Sequence, residues 1–194
     1  MSQRDAGQWH RALLRGVNVG PANRVSMADL RALVEDLGYR GVRTLLNSGN
    51  VVFEGRGPEG SVAATLTQTA ASRIQDALAK AYGISCRVIV ITAPQLGTIV
   101  AENPLLRIAT NPSRLLVAVL GEPASRSAVQ SLLSQDWGGE ALGVGSLAAY
   151  LWVPEGVVKS PLNHAVNKAL ANNVTGRNWA TMLKLRDMVK APFR

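Results

Sequence analysis

The sequence predicts an α+β protein of two ferredoxin-like halves, each of βαββαβ type, with an additional connecting helix and a C-terminal helix. Three observations carry this. Short β-prone runs and stretches of helical periodicity follow one another over residues 1–93 in the order strand, helix, strand, strand, helix, strand. A similar order recurs over residues 113–194, without similarity of sequence. Between them, 94–112 reads as a helix closed by Asn103-Pro104 and an irregular stretch, which sets the boundaries at 1–93, 94–112 and 113–194.

In the first half, Trp9 to Leu14 is a β-prone run after a polar start, and Gly16 to Arg24 is a loop. Ser26 is a natural helix N-cap with Asp29 three residues on, close to a capping box. Met27, Leu30, Val34 and Leu37 then recur at helical spacing until Gly38, a helix-ending residue. Val42–Leu46 and Val51–Glu54 read as strands joined by the hairpin-type turn Asn47-Ser48-Gly49-Asn50. Gly55 to Gly60 is a loop. Val62, Leu66, Ala70, Ile74, Ala77, Leu78 and Ala81 mark a long helix to Tyr82, closed by Gly83, and Ser85 to Thr92 is the next strand.

The connecting helix spans about Pro94 to Glu102. In the second half, Leu115–Leu120 is strongly strand-like and Ala124–Gln135 is helical. Leu142–Val144 and Ala148–Val153 form a hairpin around Gly145-Ser146. Ser160–Ala171 is a helix with Pro161 in its first turn. Asn173–Gly176 is a short final strand, and the last helix runs from about Trp179 to Lys190 with Asn178 as N-cap.

Composition narrows the function classes. The 194 residues are 47% hydrophobic and 18% charged, with a formal charge of +8 and 16 arginines among 21 basic residues. Such a surplus favours anionic partners, although a solvated arginine-rich surface explains it as readily. Cys86 is alone, which rules out an intramolecular disulfide and suits a reducing cytoplasm. It falls in a run that reads as a buried strand, where a small core residue is expected. Ser2 to Gln8 is polar and opens no signal peptide. The apolar runs fall well short of the roughly 18 residues of a membrane span. A cytoplasmic protein with no membrane partner is expected.

Enzymatic motifs are scarce. Walker-type and dinucleotide glycine spacings are absent, and Ser48 lies outside a Gly-x-Ser-x-Gly elbow. His10 and His164 have no neighbours at metal-ligand spacing, so no metal site is expected, and His164 reads as a solvated helix residue. Asp29, Glu35 and Asp36 are better explained as helix-surface charge than as an acid–base pair. No cofactor is expected, and whether the chain is an enzyme stays open.

Two polar stretches stand out. Leu13-Leu14-Arg15-Gly16-Val17-Asn18-Val19-Gly20 and Asn47-Ser48-Gly49-Asn50-Val51-Val52-Phe53 each couple a β-prone run to a glycine-punctuated turn. Arg15 and Arg177, each beside glycine, are the candidates for an anion, because a guanidinium presents a planar fork of donors. Asn18, Asn47, Ser48 and Asn50 could add neutral hydrogen bonds. Asn178 and the amides after it could form an anion-binding helix end, Trp179 a flat stacking face, and Lys184 a further cation. The same residues could instead hold turns (Asn18, Asn50), satisfy carbonyls (Arg15) or anchor a core (Trp179).

The stretches Leu13 to Gly20, Asn23-Arg24-Val25-Ser26-Met27, Leu30-Arg31-Ala32-Leu33, Leu37-Gly38-Tyr39, Val42-Arg43-Thr44 and Ser48 to Phe53 form one extended signature. Val153-Pro154-Glu155-Gly156, Thr175 to Thr181 and Lys184-Leu185 form a second. On these the chain resembles the bacterial domain-of-unknown-function family 1697 over nearly its whole length. The resemblance implies ferredoxin-like α+β halves and no established activity, substrate or catalytic residue. The chain departs from the family pattern at Pro21, in place of a second glycine, at Asn47, in place of glutamine, and at Pro161, in place of a lysine that Lys159 could replace.

Three readings follow. The first is a module binding a small anionic ligand, nucleotide- or phosphate-like, at the interface of the halves. The second is a nucleic-acid binder, supported by seven basic residues and one acid over residues 157–194 but weakened by an aromatic content of 5%. The third is an enzyme acting on an anionic metabolite. Oligomeric state is not read from the sequence.

Overall fold

A computed structural model describes residues 8–20, 23–55, 63–171 and 173–188. The loop expected over 56–60, Pro21, Val62 and the helix end expected at Lys190 lie outside them. The chain divides into two compact units between Ala93 and Pro94.

The first unit runs β1 (Gln8–Leu14), α1 (Met27–Asp36), β2 (Arg40–Leu45), β3 (Asn50–Gly55), α2 (Ala63–Tyr82) and β4 (Val88–Thr92). Its antiparallel sheet has the order β2-β3-β1-β4, which is the ferredoxin-like arrangement. Alternation along the strands sends Ala12, Leu14, Val51, Phe53, Val88 and Val90 to one face, where Leu30 and Val34 of α1 and Ile74 and Leu78 of α2 bury against them. Ser26 caps α1 as its sequence predicts: its Oγ accepts from the Asp29 N–H at 3.0 Å and donates to the Asp29 carboxylate at 2.7 Å.

In the second unit, α3 (Ala93–Ala101) leads to β5 (Leu115–Leu120), α4 (Arg126–Gln130), β6 (Ala141–Val144), β7 (Ala148–Trp152), α5 (Pro161–Ala169), β8 (Val174–Asn178) and α6 (Trp179–Asp187). The sheet order β6-β7-β5-β8 repeats that of the first unit element for element. Ala118, Leu120, Ala149 and Leu151 meet Val129, Leu162 and Val166 in its core. The protein is therefore α+β, with two ferredoxin-like halves.

Several boundaries differ from the sequence reading, each for a local reason. The strand expected from Ser85 starts at Val88, whose N–H donates to Gln75 Oε1 of α2 at 2.8 Å. Cys86 thus precedes the strand, half-buried against the core. The helix expected over Ala124–Gln135 is a 3-10 turn at Pro123–Ser125 followed by the five residues of α4. Ser127, Ser131 and Ser134 each donate a side-chain bond to the carbonyl three residues back, and Leu132 and Leu133 bond in the same short i−3 pattern. This competes with the α ladder. The final strand extends to Asn178, so Arg177 belongs to a strand.

Candidate functional site

Two loops of the first unit converge. The β1–α1 loop and the β2–β3 turn are tied by Asn18, whose Nδ2 donates to the Val25 carbonyl at 2.8 Å and to the Asn47 carbonyl at 2.9 Å. Its Oδ1 accepts from the Val25 N–H at 3.0 Å, and its own N–H donates to the Asn23 carbonyl at 2.9 Å. One amide side chain thus satisfies backbone groups from two segments that are distant in sequence.

These loops hold much of the left-handed backbone. Gly16, Asn18, Gly20, Asn23, Leu46 and Gly49 all have φ between 54° and 72°. Asparagine tolerates this region, whereas leucine rarely occupies it. Gly49 is required sterically: a Cβ there would stand 2.8 Å from Leu14 Cβ and closer still to Val17 Cγ2. Strained backbone of this kind concentrates at ligand-binding and switch regions.

An open cavity of about 450 Å³ lies at this junction, lined by Asn18, Arg24, Val25, Ser26, Met27 and Asn47. Arg24 is exposed, and its Nε donates to the Gly20 carbonyl at 3.0 Å. Among the described residues nothing else engages its Nη groups. The cavity lining therefore combines the Arg24 guanidinium, Ser26 at the amino end of α1, Asn47 and the apolar Val25 and Met27, with the Asn18 amide already committed to backbone groups. The Asp29 carboxylate is held by Ser26 Oγ, which tempers the positive field of the helix end.

The other sequence candidates are distributed as follows. Arg15 is half-buried beside this region, its N–H donating to the Arg87 carbonyl at 2.8 Å. Asn50 is fully buried as the first residue of β3, its Nδ2 donating to the Leu45 carbonyl at 2.8 Å and to Ser48 Oγ at 3.0 Å. Asn47 and Ser48 are exposed on the turn. In the second unit, Arg177 is buried on β8, with Nη1 donating to the Gly176 carbonyl at 2.7 Å and to Thr175 Oγ1 at 3.1 Å. Burial lowers its pKa to about 10. Asn178 caps α6, its Oδ1 accepting from the Thr181 N–H at 2.9 Å and from Thr181 Oγ1 at 2.7 Å. Trp179 is buried and Lys184 is exposed. Arg24, Val25 and Met27 were not marked by sequence reasoning as site residues. The available signal was an arginine two residues before a strong N-cap, in a loop rich in Asn and Gly.

A second cavity, of about 240 Å³, is lined by Leu37, Gly38, Tyr39, Arg40, Glu54, Gly55 and Arg73. Arg73 is accounted for structurally: its Nη2 donates to the Leu37 carbonyl at the end of α1, and its guanidinium lies 5.4 Å over the Tyr39 ring. Among the described residues, no group of three or more His, Cys, Asp or Glu could hold a metal ion.

Fold and site together define a class: an α+β protein of two ferredoxin-like halves with a loop-built polar cavity in the first. The chain belongs to the family described as Protein of unknown function (DUF1697), whose model matches residues 9–150. The match includes both converging loops and stops before the signature stretch at Thr175–Lys184. In structure the chain is similar to the conserved bacterial protein SP0830 from Streptococcus pneumoniae, at 22% sequence identity and a TM-score of 0.74, over 96% of this chain and 100% of that one. That likeness bears on the fold alone. No curated protein matches the chain.

Proposed function

We propose that this is a cytoplasmic protein that binds a small anionic ligand, nucleotide- or phosphate-like, in the loop cavity of its first half. The supporting observation is the 450 Å³ cavity in which Arg24, Asn18 and Asn47 meet at the start of α1. Helix amino ends and arginine forks both favour anions. No helix among the described residues is long and apolar enough to cross a membrane.

The test is thermal unfolding of the whole protein with inorganic phosphate, AMP, citrate and a short RNA. A ligand of the native state at 100 times its Kd adds about 2.7 kcal/mol of apparent stability. The expected result is a saturable rise in Tm with phosphate or AMP that disappears in Arg24→Ala. Shifts confined to the RNA and lost steeply with salt would indicate a nucleic-acid binder instead.

A further inference from the structure

Few side-chain donors of the loop cavity are left for a ligand. Asn18 Nδ2 commits its two protons to the Val25 and Asn47 carbonyls. Ser26 Oγ commits its single proton to the Asp29 carboxylate at 2.7 Å, and accepts from the Asp29 N–H at 3.0 Å. Arg24 Nε is held by the Gly20 carbonyl. Of the side chains that line the cavity, the Arg24 Nη groups and the Asn47 amide are the donors without a partner among the described residues.

The charge is close to balanced as well. Arg24 contributes one positive charge, and the start of α1 about half of one. The Asp29 carboxylate, one hydrogen bond away from the lining residue Ser26, subtracts one, and it forms no ion pair among the described residues. Charges act over roughly 8 Å at physiological ionic strength, so Asp29 opposes an anion without touching it. The first negative charge of a ligand is matched by Arg24. A second meets a site already near neutral and is costly to take out of water.

We infer that the preferred ligand is a singly charged phosphodiester, anchored at Arg24, and that Asp29 is the residue that selects against the second charge of a monoester. This rests on the reading that the cavity binds a phosphate-like anion. A volume of about 450 Å³ exceeds the needs of a bare oxyanion and leaves room for organic groups on the phosphate. A monoester still binds through Arg24, but its second charge adds no affinity.

The experiment is calorimetric titration of the full chain with methyl phosphate, methyl sulfate and dimethyl phosphate at a pH about two units above the second phosphate pKa of about 6. Methyl phosphate is then a dianion, and methyl sulfate has nearly its shape with one charge. Both singly charged ligands are expected to bind within about threefold of methyl phosphate, or tighter. Asp29→Asn keeps an acceptor for Ser26 Oγ; it is expected to raise methyl phosphate affinity about threefold or more and the other two by about twofold or less. Methyl phosphate binding more than about threefold tighter than both in the unaltered protein overturns the inference, leaves anion binding standing and needs no variant. An equal response of all three ligands in folded Asp29→Asn overturns the role of Asp29. Cyclic AMP and the dinucleoside monophosphate ApA extend the series: binding of either supports the inference and tells a cyclic from a linear diester, whereas binding of AMP but of neither diester overturns it. Failure of every ligand to bind overturns both the anion reading and this one.

Discussion

Asn18 and Gly49 show how single residues set the geometry of the site. Asn18 spends both ends of its amide on the backbone, so it shapes the cavity wall as well as lining it. Its importance was legible in the sequence, but its partners were not, because Val25 and Asn47 are brought to it only by folding. Gly49 combines φ of +72° with no room for a Cβ. Gly49→Ala should therefore destabilise the protein by on the order of 2–4 kcal/mol, from left-handed strain plus overlap with Leu14 and Val17. Urea unfolding measures this, and a loss below about 1 kcal/mol would show that the turn relaxes freely. Arg24 was passed over in the sequence because its loop reads as ordinary polar connection. Its place in a cavity where two loops converge appears only in the fold.

At the level of elements, helix starts were read well and irregular ends poorly. Ser26 and Asn178 each accept the predicted N-cap bond, and Ser160, read as the first residue of its helix, caps α5 in the same way, because capping depends on a side chain and the amide three residues on. The break after Gln130 depends on competing serine bonds that apolar periodicity does not register. A long-range contact was equally hidden. Glu102, just after α3, accepts from the Ser146 N–H at 2.7 Å and from Ser146 Oγ at 2.8 Å in the β6–β7 turn. These hydrogen bonds hold its carboxyl below the usual carboxylate range. The contribution is full above the unfolded pKa of about 4.3 and is lost as pH falls through the lower folded value. Glu102→Gln should lower Tm at neutral pH, with the gap closing as the pH falls through that range. A gap of constant size from pH 7 to pH 2 would contradict the ionic origin.

At the level of the whole molecule, the recurrence of the βαββαβ order was legible because sheets and helices carry distinct apolar periods. The strand order within each sheet, identical in the two halves, came only from the pairing. His10 gives the first half a pH dependence. It is buried and stacked on Phe53, with ring centroids 5.4 Å apart, and neither ring nitrogen has a hydrogen-bond partner among the described residues. Burial lowers its pKa below 6.5; the Gln8 backbone works the other way, and the charge of Arg11, a smaller effect, adds to the lowering. Above pH 6.5 both states are neutral at this residue; as the pH falls from there toward the lower folded value, the unfolded chain binds the proton first and stability declines. His10→Phe should flatten the stability profile between pH 7 and pH 5 relative to the unaltered protein. Parallel profiles would show that His10 does not titrate differently on folding.

The central claim is that the first half binds an anion where its two strained loops meet. The most direct measurement is amide chemical-shift mapping of the full chain titrated with AMP. The account predicts saturable shifts at Asn18, Arg24 to Met27 and Asn47, absent in Arg24→Ala. Saturable shifts confined to Thr175–Asn178, or no shifts with AMP or phosphate at millimolar concentration, would contradict it.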